Sequence, residues 1–91
     1  MPVKTVYFVV GGRVHGVGFR WFVMQKALEL QISGWVQNTH DGKVEIEAEG
    51  NPNDLETFTD LIRIGPSRAQ IRTFSVSEIT PPRNYSNFII R

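Results

Sequence analysis

The chain contains no cysteine, so disulfides, thiol nucleophiles and cysteine-ligated zinc are excluded. It has two histidines, His15 and His40, far apart in sequence. Two isolated imidazoles without a third ligand make a poor metal site, and none is expected. Charge of one sign is also missing: ten Lys and Arg against nine Asp and Glu leave a formal net charge of +1. No basic footprint marks a nucleic-acid partner or an anionic membrane. No apolar run approaches the roughly 18 residues of a membrane span. The opening Met1-Pro2-Val3-Lys4 lacks the charged-then-apolar layout of a signal peptide, so a cytoplasmic, unprocessed protein is expected. Repeats, low-complexity tracts and linkers are absent too. The 91 residues read as one domain, 1–91, because chains this short rarely divide into two cores. Lysine is scarce: seven of the ten cations are Arg, whose planar fork suits phosphate or carboxylate.

What is present falls into two repeated patterns. Residues 5–10, Thr-Val-Tyr-Phe-Val-Val, are β-branched and aromatic and predict a buried strand that gives way to a loop at Gly11-Gly12. Over residues 19–31 the period changes. Phe19, Val23, Ala27 and Leu30 share one helical face, with Phe22 beside it. Ile32, Trp35 and Val36 start a second strand, Thr39-His40-Asp41-Gly42 supplies a turn, and Val44, Ile46 and Ala48 alternate with Glu45, Glu47 and Glu49. This predicts a hairpin with one wet, acidic face. Asn51-Pro52-Asn53-Asp54 provides capping oxygens for a second helix through Leu55, Phe58 and Ile62, stopped by Gly65-Pro66. Residues 69–79 form a strand whose alternation slips between Ile71 and Phe74, as at a bulge, and Phe88-Ile89-Ile90 closes the chain. The order β-α-β-β-α-β predicts an α+β, ferredoxin-like split β-α-β sandwich, with two helices on one face of an antiparallel sheet.

Residues 11–20, Gly-Gly-Arg-Val-His-Gly-Val-Gly-Phe-Arg, carry four glycines between the first strand and the first helix. Glycines there let consecutive N–H groups converge on an anion, and the following helix adds its free N–H groups and positive dipole end. A phosphate-sized dianion is the natural guest. Arg20 sits in the first helical turn, where a cation is unfavourable for the helix but well placed to grip that anion in a bidentate manner. The stretch lacks the Gly-Lys-Ser/Thr ending of a nucleoside-triphosphate loop, and the chain is too short for a dinucleotide fold.

Gly12-Arg13-Val14-His15-Gly16-Val17-Gly18-Phe19-Arg20 followed by Gly34-Trp35-Val36-Gln37-Asn38 resembles the two signatures of the acylphosphatases, and the resemblance extends over essentially the whole chain. It implies a small hydrolase that cleaves the carboxyl-phosphate anhydride of acyl phosphates by in-line attack of water, without metal or cofactor. Inorganic phosphate is then product and competitive ligand. By the same resemblance Arg20 holds the substrate phosphate, Asn38 positions the attacking water, and Gly12, Arg13, Val14, His15, Gly16, Val17 and Gly18 form the phosphate cradle. Asn38 on its own reads as a turn residue. At His15 the family often carries Gln. The single loop histidine is expected to point outward, and His40 is read as a solvated turn residue. Arg91 is expected to tie down the C-terminus.

Trp21, Met24 and Leu28 lie on the helix side opposite the Phe19–Leu30 face. A monomer is expected, with a weak dimer through these three residues as the alternative. Two other functions compete with this one. An RNA-binding module shares the element order, but Lys43–Glu49 has no aromatic for stacking and three acids. A catalytically silent acylphosphatase-like module that binds phosphate or protein is opposed by the intact Arg20 and Asn38.

Overall fold

A computed structural model describes residues 2–91. The elements are β1 (Lys4–Arg13), α1 (Phe19–Glu29), β2 (Ser33–Asn38), β3 (Val44–Gly50), α2 (Pro52–Ile64), β4 (Gln70–Ile79) and β5 (Phe88–Ile90). The strands form one sheet in the order β4-β1-β3-β2-β5. The two helices cover one face, and the core lies between. Val6, Phe8 and Val10 of β1 stand opposite Ala48, Ile46 and Val44 of β3. They meet Phe19, Val23 and Ala27 of α1 and Leu55, Phe58 and Ile62 of α2, all buried. Phe8 makes edge-to-face contacts with Phe58 and Phe74 at centroid distances of 5.8 and 5.9 Å, the geometry aromatic quadrupoles favour.

The ferredoxin-like, α+β architecture read from the sequence is the one observed, but the sheet is mixed. β5 pairs with β2 in parallel, Gly34 opposite Phe88 and Val36 opposite Ile90, whereas every other pairing is antiparallel. The reason is the route of the chain, which leaves β4 at one edge, crosses the sheet and reverses before joining the opposite edge.

Three local expectations are also corrected. Gly11-Gly12 does not end β1, which runs on to Arg13 beside β4. The glycines serve close approach instead: a Cβ on Gly12 would lie 2.2 Å from the Gln70 carbonyl oxygen, and one on Gly11 2.3 Å from Thr73 Oγ1. The register steps from Gly11 opposite Thr73 to Gly12 opposite Ile71, so Arg72 is the extra residue of the bulge foreseen in β4. The first helix stops at Glu29, two residues early, because Gln31 turns left-handed at φ 56°. The Ile32 amide then bonds back to the Ala27 carbonyl at 2.8 Å.

The third correction concerns the acidic alternation. Glu47 and Glu49 are buried rather than wet, because residues 80–87 lie as a strap over the open face of the sheet. The Glu49 carboxylate accepts from Thr5 Oγ1 and from the amides of Arg83, Asn84 and Tyr85 at 2.5 to 3.0 Å. Glu47 meets the Tyr85 hydroxyl and lies 3.4 Å from Arg83 Nε. Glu45 accepts from Gln37 Nε2 at 2.8 Å and from the Tyr7 hydroxyl. That hydroxyl bond, with burial and the nearby carboxylates, pushes the Tyr7 phenol up to about 12.

Candidate active site

The segment joining β1 to α1 is anchored from below and open above. Val14 and Val17 turn their side chains into the core, which leaves the intervening backbone at the surface. Gly16 and Gly18 hold φ of 70° and 78°, a left-handed region that a side chain disfavours. Gly18 is the residue immediately before α1, so no side chain caps the helix, and its first turn carries no acidic residue. The first helical bond there is from the Phe22 amide to the Gly18 carbonyl at 3.0 Å. At α2 the opposite choice is made. Asn51 accepts from the Asp54 amide at 2.8 Å and donates to the Asp54 carboxylate at 2.7 Å. The positive end of α1 is thus left without a capping or acidic side chain.

That end borders a cavity of about 100 Å³ lined by Val14, Gly16, Gly18, Phe19, Arg20, Trp21 and Asn38. Arg20 is exposed, and among the described residues it takes part in none of the ion pairs, which involve Lys4, Lys26, Lys43 and Arg83. Asn38 ends β2 opposite Val44, so strand alternation turns it to the helix-covered face. Its carbonyl oxygen is the one buried side-chain polar atom without a hydrogen-bond partner among the described residues. A buried acceptor left this way costs about 1–3 kcal/mol.

The residues singled out from the sequence divide in space. Val14, Gly16, Gly18, Arg20 and Asn38 meet at the cavity, while Gly12, Arg13, His15 and Val17 do not line it. Gly12 and Arg13 belong to β1, and Arg13 is exposed opposite Gln70. His15 is exposed, but its ring is not idle. Nε2 donates to the Lys43 carbonyl at 2.8 Å, the same oxygen that accepts from the Thr39 amide at 2.9 Å. The imidazole therefore ties the glycine loop to the turn that follows Asn38. His40 is exposed in that turn. Arg91 binds the Val36 carbonyl through its amide at 2.8 Å and lays its guanidinium over Trp35 at 4.4 Å, securing the C-terminus. Among the described residues no group of three His, Asp or Glu is placed to hold a metal ion, and no helix is long and apolar enough to cross a membrane. Phe19 and Trp21 are also cavity walls, although in the sequence Phe19 follows the core periodicity of α1 and Trp21 lies on its opposite apolar side. Their signal was adjacency to Arg20.

The acylphosphatase family profile matches residues 6–90. The acylphosphatase of Chlorobaculum tepidum is 44% identical over 79 residues, covering 87% of this chain and 86% of that protein. The acylphosphatase of Moorella thermoacetica is 40% identical over 91 residues, covering 100% and 97%. Among solved structures, the acylphosphatase of Bacillus subtilis superposes with a TM-score of 0.94 at 38% identity, over 97% of this chain and 98% of that one. Full-length HypF contains a similar region, with a TM-score of 0.89 at 30% identity, which covers 99% of this chain and 12% of HypF. Sequence, fold and the cavity at the start of α1 agree: this chain belongs to the acylphosphatase family and is a hydrolase of acyl phosphates.

Proposed function

We propose that Arg20 and Asn38 are the catalytic residues of this hydrolase and that the backbone of the glycine loop, with the start of α1, is its phosphate cradle. The assignment treats residues 1–91 as one catalytic domain. The observation that carries it is the convergence, on one small cavity, of an exposed guanidinium free of ion pairs, an unpartnered buried amide oxygen and an uncapped helix N-terminus. Within the loop, the cavity-lining Val14, Gly16 and Gly18 offer backbone to the phosphate, Val17 anchors the loop, His15 braces it and Gly12-Arg13 sets its entry from β1.

The chemistry then follows from positioning. The Arg20 guanidinium pairs with two phosphoryl oxygens, and the loop and helix N–H groups complement the third and the charge that spreads over all three in a loose transition state. Asn38 accepts from a water through its carbonyl and donates through its amide to the phosphoryl group, holding the water at attack distance. The water oxygen bonds to phosphorus as the bond from phosphorus to the acyl oxygen breaks. The electron pair leaves on the carboxylate, and the water's proton passes to the new phosphate. A carboxylate is a good leaving group, so no strong general acid is needed to protonate it, and no cofactor enters the scheme.

The test compares wild type, Arg20→Gln and Asn38→Ala on a simple acyl phosphate, with inorganic phosphate as competitor and EDTA present. Losing one oriented donor costs about 10²–10³ in rate. Arg20→Gln should lose turnover and phosphate inhibition together, while Asn38→Ala should lose turnover and keep phosphate inhibition. Full activity of Arg20→Gln removes the arginine from the site, and normal turnover of Asn38→Ala removes the water role.

A further inference from the structure

An acyl phosphate is larger than the cavity that receives its phosphate, so its acyl substituent must leave through one of the open sides. Beside the cavity runs a second hollow of about 380 Å³, lined by Arg20, Trp21, Met24 and Ile90. The two hollows share Arg20 and Trp21 as walls. With the Arg20 guanidinium committed to phosphate, the rest of the groove is indole, thioether and alkyl surface. Trp21 is 68% exposed, a large apolar side chain left uncovered at the mouth of the site. The apolar stripe of α1 also divides here: Leu28, 61% exposed, borders a separate hollow with Ala27, Ile32 and Phe88. Asn38 lines the phosphate cavity and not the groove. A water held by Asn38 and a carboxylate departing along the groove therefore occupy different walls, as an in-line displacement requires.

We infer that the groove formed by Trp21, Met24 and Ile90 is an acyl-group subsite, and that it makes this enzyme selective for acyl phosphates with apolar acyl chains longer than acetyl. The inference rests on the proposed placement of the phosphate at Arg20. Charged or amino-substituted acyl groups find no ionic partner in the groove, whereas each added methylene leaves water against Trp21 or Ile90.

The experiment measures kcat/KM for acetyl, butyryl and hexanoyl phosphate, whose carboxylate leaving groups are nearly equal in basicity. Inorganic phosphate inhibition is measured alongside. In an open groove a methylene gains about half the free energy of full burial, or roughly twofold in kcat/KM, giving roughly 16-fold between acetyl and hexanoyl phosphate. Trp21→Ala should collapse that ratio to a few-fold, Trp21→Phe should recover most of it, and Leu28→Ala should keep the wild-type ratio. The phosphate inhibition constant should stay unchanged in Met24→Ala, because Met24 lines the groove and not the phosphate cavity. A flat wild-type series or a ratio that survives Trp21→Ala overturns the subsite. Weakened phosphate inhibition in Met24→Ala also overturns it, by tying the groove wall to the phosphate site. Arg20→Gln assayed on all three substrates separates the two readings. Loss of turnover at every chain length with a flat wild-type series leaves Arg20 in place and removes only the groove, whereas retained turnover removes the phosphate placement beneath both.

Discussion

Glu49 offers the sharpest stability test, because one buried carboxylate holds the whole strap over the sheet. It is 4% exposed. One oxygen accepts from Thr5 Oγ1 and the amides of Arg83 and Asn84, and the other accepts from the Tyr85 amide at 2.8 Å. Glu49→Gln conserves shape but replaces one acceptor oxygen with an NH₂ group and removes the charge from the remaining bonds. Hydrogen bonds to a charged group are worth about 1.5–3 kcal/mol and neutral ones about 0.5–1.5, so three bonds weakened by about 1 kcal/mol each and one unsatisfied amide at about 1–3 kcal/mol total about 4–6 kcal/mol. For a domain this small that lowers Tm by roughly 20–40 °C. Burial by itself raises the Glu49 pKa, but the bonds from Thr5 and from the Asn84, Tyr85 and Arg83 amides outweigh it and bring the net value below the ordinary 4.5. A carboxylate depressed in the folded state contributes stability above its unfolded pKa and loses it as pH falls through the folded value. Urea titrations of wild type should therefore show a midpoint that drops on acidification below the ordinary carboxylate range. Glu49→Gln should start lower at neutral pH and lack that part of the slope. A variant within about 0.5 kcal/mol of wild type, with the same acid slope, would refute the argument, since that is the range of surface substitutions.

The remaining predictions probe the loop and the sheet. His15→Ala removes the bond to the Lys43 carbonyl; at about 1 kcal/mol the loosened loop should raise the KM for acyl phosphate roughly fivefold with kcat less affected. His15→Gln, whose amide reaches the same carbonyl, should restore KM in steady-state assays. At Gly18, a Cβ meets nothing within 4 Å, but φ is 78°, so Gly18→Ala should cost about 1–2 kcal/mol in strain, read from thermal melts. Weaker phosphate inhibition should accompany it. Gly34 is different in kind. A Cβ there would lie 1.9 Å from the Glu47 carbonyl oxygen, so Gly34→Ala must push β2 from β3 and should lose more than about 3 kcal/mol, or the folded state altogether.

The parts of the fold legible in the sequence are those whose signal is local. The second helix shows its Asn51 cap, its Leu55, Phe58 and Ile62 face and its Gly65 stop within 15 positions, and all three recur in the structure. What the sequence hid depends on distant partners. Gly11-Gly12 carries a turn signal, yet the glycines allow β4 to come close, a fact held in residues 70–73. The Glu45, Glu47, Glu49 alternation is that of a solvated strand face. Its burial depends on a strap more than thirty residues downstream that shows no periodicity. At the site, glycine spacing and Arg20 allow an anion cradle, but the glycines alone fit a structural loop better, and the resemblance decides between the two. Asn38 alone read as a turn residue and gained a role only through resemblance, because the orphaned carbonyl that distinguishes it exists only after folding.

Strand direction decides which residues meet at the cavity and the groove beside it. β1 and β2 run in the same direction on either side of β3, and α1 returns from the end of β1 to the start of β2. The end of β1, the start of α1 and the end of β2 therefore lie at one edge of the molecule. That crossover brings Arg20 and Asn38 to one cavity across 18 positions of sequence. Because β5 is parallel to β2, its carboxyl end arrives at the same edge, which places Ile90, opposite Val36, against Trp21 and Met24. An antiparallel β5 would have brought Phe88 there and carried Ile90 away. The strap that reverses the chain over Glu49 is thus also what delivers the far wall of the acyl groove.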